Sequence, residues 1–152
     1  MLFSLSQCVP KIIDELKGRK IISVDAGHRH SVCIDSEYNL YTWGSGTGGC
    51  LGHGDLLGRP FPVLVSQLAL SGVGVARASA GVDTTMCVTR GGDVYSWGKS
   101  KHGRIGQGNE LIDQCNACIG SACGPLTADR EPWAKCLAHD AACLPFGMVG
   151  EL

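Results

Sequence analysis

The chain has 152 residues, of which 44% are hydrophobic and 18% charged, with a formal net charge of −1. This composition indicates a globular protein and excludes a disordered chain. Residues 1–108 hold 11 Lys and Arg against 8 Asp and Glu, and residues 109–152 hold 2 against 6, so direct nucleic-acid binding has little support. No apolar run approaches the roughly 18 residues that cross a bilayer, and no signal-peptide pattern begins the chain. We predict an intracellular protein, cytoplasmic or nuclear, that does not bind membranes.

Nine cysteines are present, and an odd number argues against a fully paired secreted framework. We therefore predict a reducing compartment. Cys33 and Cys87 lie in strand-like runs, where the simplest interpretation is a small buried apolar side chain. The others fall near the start, in a glycine-rich loop and in the C-terminal segment: Cys8, Cys50, Cys115, Cys118, Cys123, Cys136 and Cys143.

Short apolar runs with period-two alternation, bounded by Gly, Asp and Asn, predict β-strands throughout the first two thirds of the chain. The second and third strands of each group are close enough for a hairpin. Two prolines place the fourth predicted strand toward a sheet edge. The predicted strands are Ile21–Asp25, Ser31–Asp35, Leu40–Trp43, Pro60–Val65, Val73–Ser79, Thr85–Thr89 and Asp93–Trp97.

An internal repeat organises these strands. Sliding the chain along itself aligns Ala26–Gly54 with Ala80–Gly108 without a gap, and nine of the 29 positions are identical. Unrelated sequences would share roughly two. Strand alternation places Tyr41 and Trp43 on one face of the sheet and Leu40 and Thr42 on the other, so both faces can pack against neighbouring sheets. Glycines at turns within the repeat, Gly49, Gly52 and Gly54, allow positive φ.

Four short strands per period indicate a propeller blade. The runs Leu40-Tyr41-Thr42-Trp43-Gly44 and Val94-Tyr95-Ser96-Trp97-Gly98, each followed by spaced glycines, closely resemble the repeat of the regulator of chromosome condensation family. Val9–Leu16 resembles the Pro-x-x-Val-x-x-Leu segment that ends such a repeat, as Pro62–Leu68 does. The resemblance covers residues 9–108. It implies an all-β, partial β-propeller of about two four-stranded blades, where family propellers have about seven repeats.

We accordingly predict four segments. Residues 1–20 are the remnant of a preceding repeat, so the chain is expected to start inside a blade. Residues 21–72 form the first repeat and residues 73–108 the second. Residues 109–152 are a divergent Cys-rich tail, either poorly structured or a small separate module. Two blades leave sheet edges unpaired, so we also expect poor solubility or self-association.

We predict no catalytic, cofactor-binding or metal-binding residue and no cofactor. Gly44–Gly49 satisfies the G-x-G-x-x-G pattern, but the following residues would break the helix that a dinucleotide fold needs. His30 could be a general base, but the equivalent residue of the second repeat is Thr84, and no Ser or Cys nucleophile has a sequence spacing that would pair it with His30. We therefore interpret His30 as a hydrogen-bonding turn residue. The remaining body histidines, His28, His53 and His102, are interpreted as surface residues.

The tail leaves one metal site open. Cys115-x₂-Cys118 and Cys136-x₂-His139 have a spacing compatible with a zinc site, but the additional cysteines make the ligand choice ambiguous. Incidental cysteines in a foreign or divergent C-terminus are the competing interpretation.

The resemblance implies a non-catalytic protein-interaction module whose partner is a small GTPase or a chromatin protein. Nucleotide exchange on a Ran-type GTPase is the family's best-known activity, but its residues cannot be placed on two repeats. Two alternatives stay open: a fragment of a multidomain HERC-type ubiquitin ligase, and a truncated product whose tail binds zinc.

Overall fold

The computed structural model describes residues 9–106 and the backbone of residues 115–121. These residues form two antiparallel four-stranded sheets, with strands in chain order within each. The first sheet contains β1 Ile21–Ala26, β2 His30–Asp35, β3 Leu40–Gly44 and β4 Arg59–Leu64. The second contains β5 Val75–Ala80, β6 Thr84–Thr89, β7 Val94–Lys99 and β8 Cys115–Ser121. Helical structure consists of α1, Ser66–Leu70, and the single 3₁₀ turns Asp14–Leu16, Thr47–Gly49 and Lys101–Gly103.

All seven predicted strands are present, each within two residues of its predicted bounds, which confirms the all-β fold class. Strand β4 lies at an edge of its sheet, as its two prolines predicted. None of the helices among the described residues has the length and apolar character needed to cross a membrane.

Strand β8 lies beyond residue 108, where the sequence ended the second repeat, in the segment assigned to the Cys-rich tail. It pairs with β7, with Tyr95 opposite Ser121 and Gly98 opposite Asn116, as β4 pairs with β3 in the first sheet. The segment has no Pro-x-x-Val pattern to announce it. A ladder of backbone hydrogen bonds requires no particular side chain, so an edge strand can form without that pattern. Residues 107–114 and 122–152 lie outside the described residues.

The two sheets pack face to face. Strand alternation turns Val32, Ile34 and Leu40 of the first sheet toward Cys87 and Trp97 of the second. The Trp97 side chain is completely buried, and truncating such a residue to Ala typically costs about 3–5 kcal/mol. The interface between the two repeats is therefore the main apolar core of the described chain.

Gly44 and Gly98 allow the backbone to pass closely behind the β1–β2 and β5–β6 turns. Both have a φ of 108°, and a Cβ at either residue would lie within 3 Å of the backbone of the preceding turn, at Arg29 or Asp83. Only glycine fits such a backbone approach at positive φ. The same geometry at both positions explains why glycine recurs after the Trp of each repeat.

Candidate functional site

Equivalent loops of the two sheets lie beside one another. Because consecutive strands are antiparallel, the β1–β2 and β3–β4 loops lie at one end of a sheet, and the β2–β3 hairpin lies at the other. The β6–β7 hairpin and α1 share that second end, where the two sheets leave a cleft of about 470 Å³. Its polar lining comes from the two hairpins: Glu37, Tyr38, Asn39, Thr89, Arg90 and Asp93.

Tyr38 is the central aromatic residue of this cleft. The Arg90 guanidinium lies 4.4 Å from the centroid of its ring, which joins the two hairpins by a cation–π contact. The carbonyl oxygen of Tyr38 accepts a 2.9 Å hydrogen bond from the amide of Val75, the first residue of the second sheet. Its φ of 66° is left-handed, a conformation that costs a non-glycine residue about 1–2 kcal/mol. Strain of this kind concentrates at functional sites.

Asp35 fixes the hairpin that carries Tyr38. Its carboxylate accepts hydrogen bonds from the Glu37 amide at 2.9 Å, from the backbone and side chain of Asn39, and from the Tyr41 hydroxyl at 3.0 Å. Burial opposes the charge on Asp35, yet the bonds from Asn39, Tyr41 and Glu37 hold its pKa below the ordinary value. These four hydrogen bonds hold the β2–β3 hairpin, which forms one wall of the cleft.

A buried hydrogen-bond chain joins the sheets at the opposite end. Thr85 donates its hydroxyl hydrogen to the carbonyl oxygen of Cys50 at 2.7 Å, so it accepts from His30 Nε2 at 2.9 Å. Trp97 Nε1 donates to the same carbonyl at 2.9 Å. His30 Nε2 therefore carries a hydrogen, and the buried Nδ1 has no hydrogen-bond partner among the described residues. Burial lowers the His30 pKa, although Asp83 and Asp25 oppose that effect.

Two further contacts join residues at equivalent repeat positions. Asp25 accepts hydrogen bonds from the Ser79 hydroxyl at 3.0 Å and the Ala80 amide at 2.8 Å. These bonds, led by that of Ala80, lower the Asp25 pKa. Arg29 pairs with Asp83 at 3.1 Å. Asp25 and Ser79 are 54 residues apart, as are Arg29 and Asp83, and this separation is the repeat length.

The histidines differ in part from the sequence interpretation. His30 does form a hydrogen bond, but it begins β2 and is buried rather than lying in a turn. His53 is half-buried and contacts the Thr42 hydroxyl at 3.1 Å, which corrects its assignment to the surface. Burial, with Arg59 nearby, lowers the pKa of His53. His28 and His102 are exposed, as predicted. The buried position of His30 does not suit a general base that must reach a substrate.

The other sequence candidates have clear positions where the structure describes them. The glycine-rich run after β3 forms a 3₁₀ turn at Thr47–Gly49, and no long helix follows it. Within the described residues no cluster of three His, Cys, Asp or Glu side chains could hold a metal. Cys115 and Cys118 both lie within β8, whereas a zinc knuckle requires the backbone to turn between its cysteines. Cys136 and His139 lie outside the described residues.

Sequence reasoning missed Tyr38, although the repeat alignment contains a signal for it. Tyr38 aligns with Gly92, which also has a left-handed φ, of 89°. A large residue where the other copy uses glycine indicates a side chain retained despite its backbone cost. His102, aligned with Gly48, is a second instance, in the exposed 3₁₀ turn Lys101–Gly103.

Comparison with known proteins agrees with this architecture. The family model of the regulator of chromosome condensation (RCC1) repeat matches residues 39–88, and a second model of the same repeat matches residues 75–104. Human E3 ubiquitin-protein ligase HERC2 is 37% identical over 99 residues, which are 65% of this chain and 2% of HERC2. The ultraviolet-B receptor UVR8 of Arabidopsis thaliana is 38% identical over 108 residues, 71% of this chain and 24% of UVR8. The chain thus spans a small part of these relatives.

Solved structures give the same fold. Yeast RCC1 (Prp20), in its complex with Kap60, superposes with a TM-score of 0.62 at 20% identity, over 73% of this chain and 26% of that chain. Human WBSCR16 gives a TM-score of 0.60 at 22% identity, over 71% and 26% respectively. The two sheets are therefore blades of a β-propeller, which confirms the predicted architecture.

Proposed function

Residues 39–104 belong to the RCC1 repeat family, and from that premise we propose that this chain binds another protein through the cleft between its two hairpins. The module itself is non-catalytic. The proposal rests on Tyr38, which has a left-handed backbone and contacts Arg90 through its ring. A glycine would form the same turn without this backbone strain, so the tyrosine side chain indicates a function.

The chemistry of the cleft suits a protein segment. Glu37 and Asp93 supply carboxylates, Arg90 supplies a guanidinium and Tyr38 supplies an aromatic ring, within a volume of about 470 Å³. Aromatic and Arg side chains are enriched at the residues that dominate binding energy in protein interfaces. Because Asp35 already orders one hairpin, binding would require little further ordering.

We propose a small GTPase or a chromatin protein as the partner, and the cytoplasm or nucleus as the compartment. The structurally similar Prp20p of Saccharomyces cerevisiae is described together with its binding to Gsp1p and histones. That description supports the two classes without choosing between them. Acceleration of nucleotide release is not expected, because no exchange residue can be assigned to the described repeats.

The test is a binding titration of the full chain against a Ran-type GTPase and, separately, against core histones. Arg90→Ala removes the cation–π contact, and Glu37→Lys reverses one charge of the cleft. Each should weaken binding at least about tenfold, the effect of a central interface residue. Lys101→Ala, at the opposite end of the sheets, is the matched control and should bind like the unchanged chain.

The proposal fails if neither partner class binds, or if the cleft variants bind as tightly as the control. Clear acceleration of nucleotide release by the chain would instead favour exchange activity, and that assay should accompany the titration.

A second candidate is that these repeats are part of a HERC-type ubiquitin ligase. The 37% identity with HERC2 supports it. This chain would then supply binding while another part of the protein supplies catalysis. The test is the surrounding reading frame. A ligase domain in frame supports this candidate, and stop codons on both sides of these repeats contradict it.

A further inference from the structure

The two sheets have outer faces that point away from the interface between them. We name as the leading face the outer surface of the first sheet, with Val24 and Trp43, together with Ile13 of the preceding segment. We name as the trailing face the outer surface of the second sheet, with Met86, Val88 and Val94, where a shallow pocket of about 290 Å³ lies.

These faces correspond, position by position, to the two sides of the existing interface. Met86, Val88 and Val94 of the second repeat align with Val32, Ile34 and Leu40 of the first repeat, and these three residues pack on the second sheet. Val24 and Trp43 of the first repeat align with Ala78 and Trp97 of the second repeat, which form the other side of the same interface. The trailing face is therefore one half of a known interface, and the leading face is the other half.

Exposure shows that the described residues cover the two halves only in part: Cys33 and Tyr41 of the leading face are buried, but other apolar side chains of both faces are exposed. Met86 is 42% exposed, whereas its equivalent Val32 is 1% exposed. Ile13 aligns with Val65 through their Pro-x-x segments, and it is 38% exposed where Val65 is 1% exposed. Val24 is 72% exposed. Apolar side chains exposed on the face of a sheet favour a contact surface there.

The trailing face also has space at Gly106 for Trp43 of another copy. Trp97 lies against Gly52, where a Cβ would come within 2.8 Å of its Nε1. The equivalent of Gly52 on the trailing side is Gly106, beside which no described atom lies within 4 Å of a Cβ position. Gly106 therefore offers an open place for a Trp from outside.

The polar contacts can repeat as well. Within the chain Asp25 accepts from Ser79, and Arg29 pairs with Asp83. If the leading face docked on the trailing face, Ser79 of one copy would meet Asp25 of the next, and Asp83 would meet Arg29. The Ser79 hydroxyl hydrogen is already donated to Asp25 of its own chain, so the Arg29–Asp83 pair is the contact that can form again, because a guanidinium and a carboxylate each bind more than one partner. Neither position brings like charges together.

We propose that a second copy of this chain docks its leading face on the trailing face of the first. The contact is heterologous, head to tail, and it leaves one face of each type free for further copies. It goes beyond the proposed binding function and uses residues outside the cleft, so either proposal can fail alone.

The experiment uses the full chain in reducing buffer, with molar mass measured by sedimentation or light scattering over a range of concentrations. The unchanged chain should show a concentration-dependent rise above its 15.9 kDa monomer mass to at least twice that value. Val24→Glu blocks the leading face and Met86→Glu the trailing face, and each variant alone should stay monomeric. Leu70→Glu changes an apolar residue that is 87% exposed on α1, and it should associate like the unchanged chain.

Mixing the two blocked variants gives the sharpest outcome. Val24→Glu retains a trailing face and Met86→Glu a leading face, so the mixture should form a 1:1 dimer that grows no further. Circular dichroism should show that each variant keeps its β structure. The proposal is overturned by an unchanged chain that is monomeric at all concentrations. A mixture that stays monomeric, or blocked variants that associate as before, would overturn it equally.

Discussion

Tyr38 and Gly92 occupy the same position in the two repeats, and both have a left-handed backbone, with φ of 66° and 89°. The first repeat therefore holds an aromatic residue in a conformation that the second repeat assigns to glycine. This difference places an aromatic ring on one side of the cleft only. Substitutions of Tyr38 can therefore distinguish the free-energy cost of its left-handed backbone from the contribution of its side chain.

Tyr38→Gly should change the free energy of unfolding by no more than about 1 kcal/mol, because relief of strain offsets the lost cation–π contact and the greater freedom of glycine when unfolded. Tyr38→Val loses the same contact and places a β-branched residue at positive φ, so it should be at least about 1 kcal/mol less stable than Tyr38→Gly. Urea unfolding measures both. Equal stability of the Gly and Val variants would contradict strain at this position.

Acid should weaken the interface between the repeats through His30. The His30 pKa is below its ordinary 6.5 in the folded chain, so its contribution is fully present above pH 6.5 and decreases as pH falls from there through the folded pKa. One proton limits the slope to about 1.4 kcal/mol per pH unit. Unfolding free energies between pH 7.5 and 5 measure it.

The control for this prediction is His30→Gln, which keeps a donor for Thr85 and removes the titration. Its pH dependence should be smaller than that of the unchanged chain, with the remainder due mainly to His53, whose pKa is also lowered. His53→Gln measures that share separately. Asp25, with its lowered pKa, acts in the same direction but only below its unfolded value of 3.8. An identical pH dependence with and without His30 would refute the prediction.

Gly52→Ala should destabilise the chain by at least about 2 kcal/mol. The added Cβ would lie 2.8 Å from Trp97 Nε1, and the φ of 75° adds backbone strain. Gly106→Ala is the matched control, with a similar φ of 69° and open space, and should cost only about 1 kcal/mol. Both are measured by urea unfolding at low protein concentration, followed by tryptophan fluorescence. Equal losses would show that Trp97 does not require the glycine.

Cys33 and Cys87 should resist alkylation in the folded chain. Burial raises the pKa of the Cys33 thiol to about 11 and that of Cys87 to about 12, and only the thiolate is reactive. Brief treatment with iodoacetamide at pH 7.5, followed by peptide mass spectrometry, should leave both unmodified. In concentrated urea both should react. Rapid modification under native conditions would mean that the β-sheets open readily.

The sequence by itself determined seven of the eight described strands, the hairpin pairing of the second and third strands, and the two repeats. Alternation with period two sets which residues can face a core, and the Trp-Gly pair marks the end of a strand wherever the backbone must pass close to the preceding turn, as at Gly44 and Gly98. These properties are local, so they repeat with the sequence and can be recognised from it. Burial of Cys33 and Cys87 followed in the same way.

Only the tertiary structure decided what the repeats do to one another. The chain from His30 through Thr85 to the Cys50 carbonyl joins residues that are 55 and 35 positions apart, and no local pattern records such a contact. Strand β8 could not be predicted from the sequence either, because its pairing uses backbone hydrogen bonds, which require no particular side chains. The cleft beside Tyr38 and the two unoccupied faces exist because sheet packing brings some loops together and leaves other surfaces exposed, which depends on three-dimensional geometry.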